Sequence, residues 1–433
     1  MVIPPSARHY KNAYEFTQFG GEPEREGSHE GGENLQHIRD GAWAACPHVL
    51  FTGATEFRAR VASEVDGGSI AVHLDSLDGP LVAKLGVPKT GGGQTWLDLS
   101  APISPVDGEH TVFLRFSGGK GDLFKITSFT LTPAPLVEVG SSATTKVVYA
   151  MGCGVVDEKD SALFDAAAKA ARECEVALVF VGVNEQVDKE SRDRTDLQLT
   201  GVQHELVRAV HAANPRTILV VSSNAPVAIN WEQENLPAIV GGLFGGEQQG
   251  NALVDVLFGD YNPGGKLSTT WFRHVADLPD FHDYDIRRGR TYLYYAGKPL
   301  YPFGHGLSYT TFDYKNLRLS SQTLQPGGKV TVSFDVANTG HRDGDEIVQV
   351  YVRCSNSAAE RPIQQLVNFE RVSIKAGMTR AVTLELPYDH QALCYWSEER
   401  ARFVVEPGPV EVLVGASSAD IRLRGALRIS NEA

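Results

Sequence analysis

At 433 residues, with 42% apolar side chains and 43 glycines, the chain is too long for one ordinary domain and too apolar for a disordered one. Its formal net charge of −13, with no cluster of Lys and Arg, argues against a nucleic-acid binder, which needs concentrated cations to neutralise phosphate. No apolar run approaches the roughly 20 residues of a membrane span, and five cysteines without a CxxC spacing disfavour zinc sites and disulfide frameworks. The opening "MVIPPSARHYKNAYEF" has no basic segment ahead of an apolar one, so the default expectation is a cytoplasmic protein acting on neutral ligands.

Residues 1–133 read as all-β. "TEFRARVAS", "SIAVHLDS", "HTVFLRFSGG" and "LFKITSFTLTP" alternate in polarity or carry β-branched and aromatic residues between glycine-rich turns. Short strands at regular spacing predict a sandwich or jelly roll. "LTPAPLVEVGSSATT" (131–145) reads as a linker.

From 134 to 312 the pattern changes. "TKVVYAM", "VALVFVGV", "TILVVSS" and "AIVGGLF" are short apolar runs, with the helical patterns "SALFDAAAKAARE", "VQHELVRAVHAA" and "QGNALVDVLFG" between them. Alternating β and α segments with two-sided apolar strands predict a mainly parallel sheet under helices. Ligands of such sheets sit beyond the carboxyl ends of the strands. "KESRDRTDLQL" (189–199) follows one such strand and crowds Glu190, Arg192, Asp193, Arg194 and Asp196 together. Residues 313–433 return to period-two alternation in "KVTVSFDVANTG", "DEIVQVYVR", "AVTLELP" and "RFVVEPGPVEVLVG", which predicts a small antiparallel sandwich.

Five separated motifs carry a resemblance. "ESRDRTDLQLTGVQHELV", "NPRTILVVSSNAPVAINW", "GGEQQGNALVDVLFGDYNPGGKLSTTW", "GRTYLYYAGKPLYPFGHGLSYTTF" and "RPIQQLVNFERVSIKAG" occur in the order seen in glycoside hydrolase family 3. Residues 146–430 resemble the C-terminal half of its β-glucosidase and β-xylosidase members. The resemblance implies an α/β sandwich followed by a fibronectin-III-like sandwich. It also implies that Glu190 is the general acid/base that protonates the leaving glycosidic oxygen. A retaining glycosidase needs two carboxyls about 5–5.5 Å apart. It also needs an acid whose pKa is raised by burial or a neighbouring negative charge, which Asp188 and Glu185 could supply. Asp193 and Arg194 are expected to pair and shape the loop. The sequence departs from the family's pattern at Ser191, where a glycine is usual, and at Thr200, where a proline is usual.

In this family the nucleophile is an aspartate on a (β/α)8 barrel, which takes about 250 residues. No such barrel is expected here, nor the family's usual first βα unit ahead of "TKVVYAMGCG". The chain alone is therefore expected to lack the second carboxylate. Its partners would be a β-linked sugar and either a separate barrel-bearing chain or further copies of itself, with no nucleic acid, membrane or cofactor.

Residues 7–133 resemble a family 6 carbohydrate-binding module through "ARHY", "GGENLQHIRDGAW", "FRARVAS", "SIAVHLDSLDGPLV", "VPKTGGGQTW" and "LFKITSFTL". The resemblance places the sugar cleft at His37, Gly93 and Lys125, where the family has Tyr, Trp and Asn, so the cleft reads as eroded. Arg8 replaces an acidic residue and weakens a structural calcium there, the one metal that the resemblance raises. Trp43 and Trp96 are expected in the core. Elsewhere, Asn224, at the end of a strand, and Glu247, at a helix start, are further substrate-binding candidates beside Asp188 and Arg194. A turn role for Asn224 and a helix-capping role for Glu247 compete with that reading. His305 reads as a turn residue. The alternative to an enzyme part is a non-catalytic carbohydrate-binding or interaction protein, or an inactive remnant.

Overall fold

The structure is a computed structural model that describes residues 10–27, 33–51, 53–66, 68–133, 137–141, 146–156, 158–357 and 359–430. It is mostly β, with four α-helices among the described residues. Three separate hydrophobic cores follow one another along the chain.

The first core lies between two antiparallel sheets. One runs in the order Glu24–Gly27, Glu33–Gln36, Lys125–Pro133, Ala54–Ala62, Trp96–Pro102, with Tyr10–Asn12 also paired to Lys125–Pro133. The other runs Gln18–Gly20, Trp43–Leu50, Glu109–Ser117, Gly68–Leu74, Leu81–Val87. Alternation decides which side chains enter: in Gly68–Leu74, Ile70, Val72 and Leu74 are buried and the residues between them are not. Phe16, Phe57 and Phe129 pack ring against ring at 5.5–5.9 Å in the centre. Full burial of each such side chain contributes about 1.5–3 kcal/mol.

The two tryptophans separate. Trp96 is buried, 8% exposed, as expected. Trp43 is not a core residue, because Ala44 and Cys46 take the inward positions of its strand. Its indole lies over Gly20 on the solvent face, where an added Cβ would meet the indole nitrogen at 2.1 Å.

The second core belongs to a three-stranded parallel sheet, Ala177–Gly182, Thr217–Ser222 and Ala238–Gly242, paired in chain order. Helices Ser161–Glu173 and Gln203–Ala213 pack against each other; with Phe164, Ala167, Leu206, Val207 and Val210 they cover one face of the sheet. Asp160 starts the first helix by accepting from the amides of Ala162 and Leu163. The apolar run at 145–151 does not join this sheet. Its residues Lys146–Tyr149 pair antiparallel with Val137–Ser141, so a strand also replaces part of the expected linker. A short apolar run indicates a strand but not its partner, which is why the sequence misplaced this one.

The third core is enclosed by a three-stranded sheet (Phe312–Leu319, Lys329–Asn338, Thr379–Pro387) and a five-stranded one (Thr323–Leu324, Ile421–Ile429, Gly408–Gly415, Gly344–Cys354, Gln365–Ile374). The junction between the second and third units is polar and tight. Lys266 pairs with Glu346 at 3.3 Å with both side chains at most 10% exposed, and Tyr314 donates to the same carboxylate at 2.8 Å.

Candidate active site

The loop after strand Ala177–Gly182 carries the charged stretch. Asn184 opens it: its side-chain oxygen accepts from the amide of Gln186, and its carbonyl accepts from the amides of Val187 and Asp188. A two-residue hairpin follows, in which Lys189 and Arg192 exchange backbone hydrogen bonds at 3.2 and 3.0 Å. Glu190 and Ser191 form its tip, and both are exposed. Ser191 has φ +69°, a conformation that glycine takes without strain. The tip thus keeps the backbone that the family's glycine would allow, and serine adopts it at a cost.

The brace beneath the tip differs from the expected one. Arg194 pairs with Asp188, Nε to Oδ2 at 3.1 Å, and not with Asp193, which is exposed. The side chains of Arg194 and Asp188 are 9% and 16% exposed. Arg194 also donates to the carbonyl of Pro226 at 3.0 Å, fastening the hairpin to the segment that follows the second parallel strand. Asp188 therefore spends its charge on Arg194 and does not stand free beside Glu190. Glu185 is exposed. Further on, Asp196 accepts from the amides of Leu197 and Gln198, and Leu197 accepts from the amide of Ala228.

The other candidates lie on separate segments. Asn224 follows the second parallel strand and is exposed. Glu247 lies in the turn Gly246–Gln248 ahead of helix Gln249–Phe258, and its side chain is outside the described residues. That helix is tied to the sheet by Gln249, which donates to the Ser222 hydroxyl at 3.1 Å. His305 stacks on Tyr301 at 5.2 Å; burial, and then Lys266, depress its pKa, which suits a neutral packing residue. Sequence reasoning missed Gln203, which is 3% exposed on the inward face of its helix. A polar residue at the start of the 203, 206, 207, 210 stripe was the available signal.

In the first unit, His37, Gly93 and Lys125 are each engaged by a carboxylate. His37 bonds Asp122 at 2.8 Å, Glu64 accepts from the amide of Gly93 at 3.3 Å, and Lys125 pairs with Glu26 at 2.5 Å. Arg8 lies outside the described residues. Among the described residues, no group of three or more His, Cys, Asp or Glu is arranged to hold a metal ion, and no helix is long and apolar enough to cross a membrane.

The second face of the parallel sheet is exposed at its edge strand, although Val220 of the central strand, in register with Phe180, is buried. In strand Ala177–Gly182, Ala177, Val179 and Val181 point into the core, while Leu178 and Phe180 are 43% and 60% exposed. Leu243, Phe244 and Phe258 are exposed as well.

A parallel sheet with an acidic hairpin at its carboxyl edge, joined to an antiparallel sandwich, defines a class, and the comparisons place it. The glycosyl hydrolase family 3 C-terminal domain matches residues 27–309, and the fibronectin type III-like domain matches residues 346–418. The chain belongs to glycosyl hydrolase family 3. It is 34% identical to a periplasmic beta-glucosidase of Salmonella typhimurium over 66% of this chain and 40% of that protein. It is 38% identical to a beta-xylosidase of Formosa agariphila over 63% of this chain and 38% of that one. Among solved structures, the beta-glucosidase of Kluyveromyces marxianus in complex with glucose aligns with 93% of this chain and 45% of its own, at 27% identity and a TM-score of 0.66. The chain thus spans about two fifths of the length of these curated relatives.

Proposed function

We propose that this chain forms the acid/base-bearing part of a retaining exo-β-glycosidase that hydrolyses the O-glycosyl bonds of β-D-glucosides or β-D-xylosides. The carrying observation is Glu190 at the tip of a hairpin braced by Asp188 and Arg194, in a chain of family 3. Glu190 donates its proton to the leaving oxygen while an aspartate of a (β/α)8 barrel attacks the anomeric carbon. Glu190 then takes a proton from the water that releases the sugar. On this reading the barrel is supplied by further polypeptide, which would pack on the exposed Leu178 and Phe180. Asp188 and Arg194 act by holding the tip. Asn224 and Glu247 are retained as substrate-binding candidates on the family resemblance alone.

The finer architecture belongs to the same proposal: a jelly roll over 1–133, an α/β sandwich over 134–312 and a fibronectin-III-like sandwich over 313–433. The family match starts at residue 27, inside the first unit.

The test is hydrolysis of nitrophenyl β-glucoside and β-xyloside, by the chain alone and with a family 3 barrel unit, beside Glu190→Gln. Turnover that needs the barrel and is lost in Glu190→Gln is expected. Equal turnover by Glu190→Gln refutes the role of Glu190. Turnover by the chain alone refutes the need for an outside nucleophile.

One observation favours a second reading, carbohydrate binding by the first unit. Trp43 covers Gly20, with the Phe113 ring 5.8 Å away and tilted by 41°, on the solvent face. An aromatic side chain on the outer face of a sheet suits contact with the apolar face of a pyranose.

A further inference from the structure

Helix Gln203–Ala213 buries Gln203, Leu206, Val207 and Val210, which puts one amide on an otherwise apolar stripe. A buried amide is costly unless its hydrogen bonds are made, and Gln203 makes them to both ends of one loop. Its Oε1 accepts from the amide of Gly182 at 2.8 Å, and its Nε2 donates to the Gly182 carbonyl at 2.9 Å. The same Nε2 donates to the carbonyls of Thr200 and Val155, both at 3.1 Å. Thr200 closes the arrangement by donating its hydroxyl to Val155 at 2.7 Å. Gly182 is the last residue before the acidic loop and Thr200 is near its end. Gly182 has no room for a side chain, because an added Cβ would stand 1.7 Å from the Ser222 carbonyl oxygen.

We propose that Gln203 is a positioning residue for Glu190: one side chain fixes both ends of the loop 183–200, and so fixes where the hairpin tip presents its carboxyl. The proposal rests on the acid/base reading of Glu190. Gln203 touches no sugar and acts only through the loop.

The variants Gln203→Leu, which keeps the volume, and Gln203→Asn, which keeps the amide but is too short, test it in the full chain. Hydrogen exchange reads the loop directly. The amides of Val187, Asp188 and Arg192, which bond within it, should exchange on the order of tenfold faster, while those of strand Thr217–Ser222 stay unchanged. Leaving-group dependence reads the function, because a dinitrophenolate departs without an acid and methanol does not. With the barrel unit present, hydrolysis of methyl β-glucoside should fall about 100-fold and that of dinitrophenyl β-glucoside less than threefold. A mere space-filling role predicts no change in Gln203→Leu on either readout, and that result overturns the proposal. If Gln203→Leu fails to fold, Gln203→Asn decides the same question. If the parent chain shows no turnover under any condition, the acid/base reading fails. Exchange then decides separately whether Gln203 holds the loop.

Discussion

Replacing Asp188 by Asn should destabilise the parallel-sheet unit far more than replacing Asp193, although both acids sit in the same short stretch. Arg194 Nε lies 3.1 Å from Asp188 Oδ2, and the Arg194 side chain is 9% exposed. Its other bond goes to the Pro226 carbonyl, and its Nη1 is buried without a hydrogen-bond partner. Removing the Asp188 charge leaves a nearly buried cation with one neutral acceptor. Breaking a buried pair from one side costs about 3–5 kcal/mol. The 16% exposure of Asp188 admits some water and sets the lower end, about 3 kcal/mol. For a unit of this size that is roughly 6–12 °C in the midpoint of its own unfolding transition. Asp193 is exposed, so Asp193→Asn should stay within about 0.5 kcal/mol. The double variant Asp188→Leu, Arg194→Met removes both charges together and should recover most of the loss. Differential scanning calorimetry at neutral pH, resolving the separate transitions, gives all three values. An Asp193→Asn loss that equals or exceeds that of Asp188→Asn would refute the brace and restore the pairing expected from the sequence.

Ser191→Gly relieves a left-handed backbone worth about 1–2 kcal/mol and adds about 0.5–1 kcal/mol of chain entropy to the unfolded state. Chemical denaturation should therefore show a net gain of about 0.5–1 kcal/mol, and a loss would mean that the serine side chain does something else. His305 has its pKa depressed by burial and by Lys266, so the unfolded chain binds its proton first on acidification. Its contribution to stability is full above about pH 6.5 and is lost as pH falls from there through the folded value. The unfolding midpoint of the junction should drop across that window, and His305→Asn should flatten the drop. On the carbohydrate-binding reading, Trp43→Ala should weaken xylo- or cello-oligosaccharide binding by about 1.5 kcal/mol, roughly tenfold in Kd by calorimetry. Unchanged binding removes that reading.

What the sequence disclosed follows from which signals are local. Helix Ser161–Glu173 matches the stretch picked from periodicity, because an N-capping Asp160 and an apolar stripe are both written within a few residues. Strands Ala177–Gly182 and Thr217–Ser222 were legible as apolar runs for the same reason. Pairing is not local. Lys146–Tyr149 has the composition of a buried parallel strand, and its antiparallel partner at Val137–Ser141 lay in what read as a linker. The side of the sheet taken by Trp43 was hidden too, since "WAAC" is apolar on both parities and gives no alternation to read. In the acidic loop, Asp188 and Asp193 flank a hairpin whose turn the sequence did not reveal. Once Lys189 and Arg192 pair, Arg194 is brought back to Asp188.

The exposed apolar edge and the acidic tip are features of one strand. Ala177–Gly182 alternates Val179 and Val181 into the core with Leu178 and Phe180 outward, and its last residue is the one that Gln203 grips. In the three-stranded sheet it is an edge strand, paired on one side only, to Thr217–Ser222. A surface that packs on Leu178 and Phe180 would therefore bear on the strand that delivers the Glu190 loop. An acid/base group needs surroundings that water does not dominate, and the hairpin supplies position without cover. On the proposed acid/base reading, the α/β unit would set the place of the carboxyl through Asp188, Arg194 and Gln203, and whatever closes over the apolar face would supply the surroundings that such a group needs.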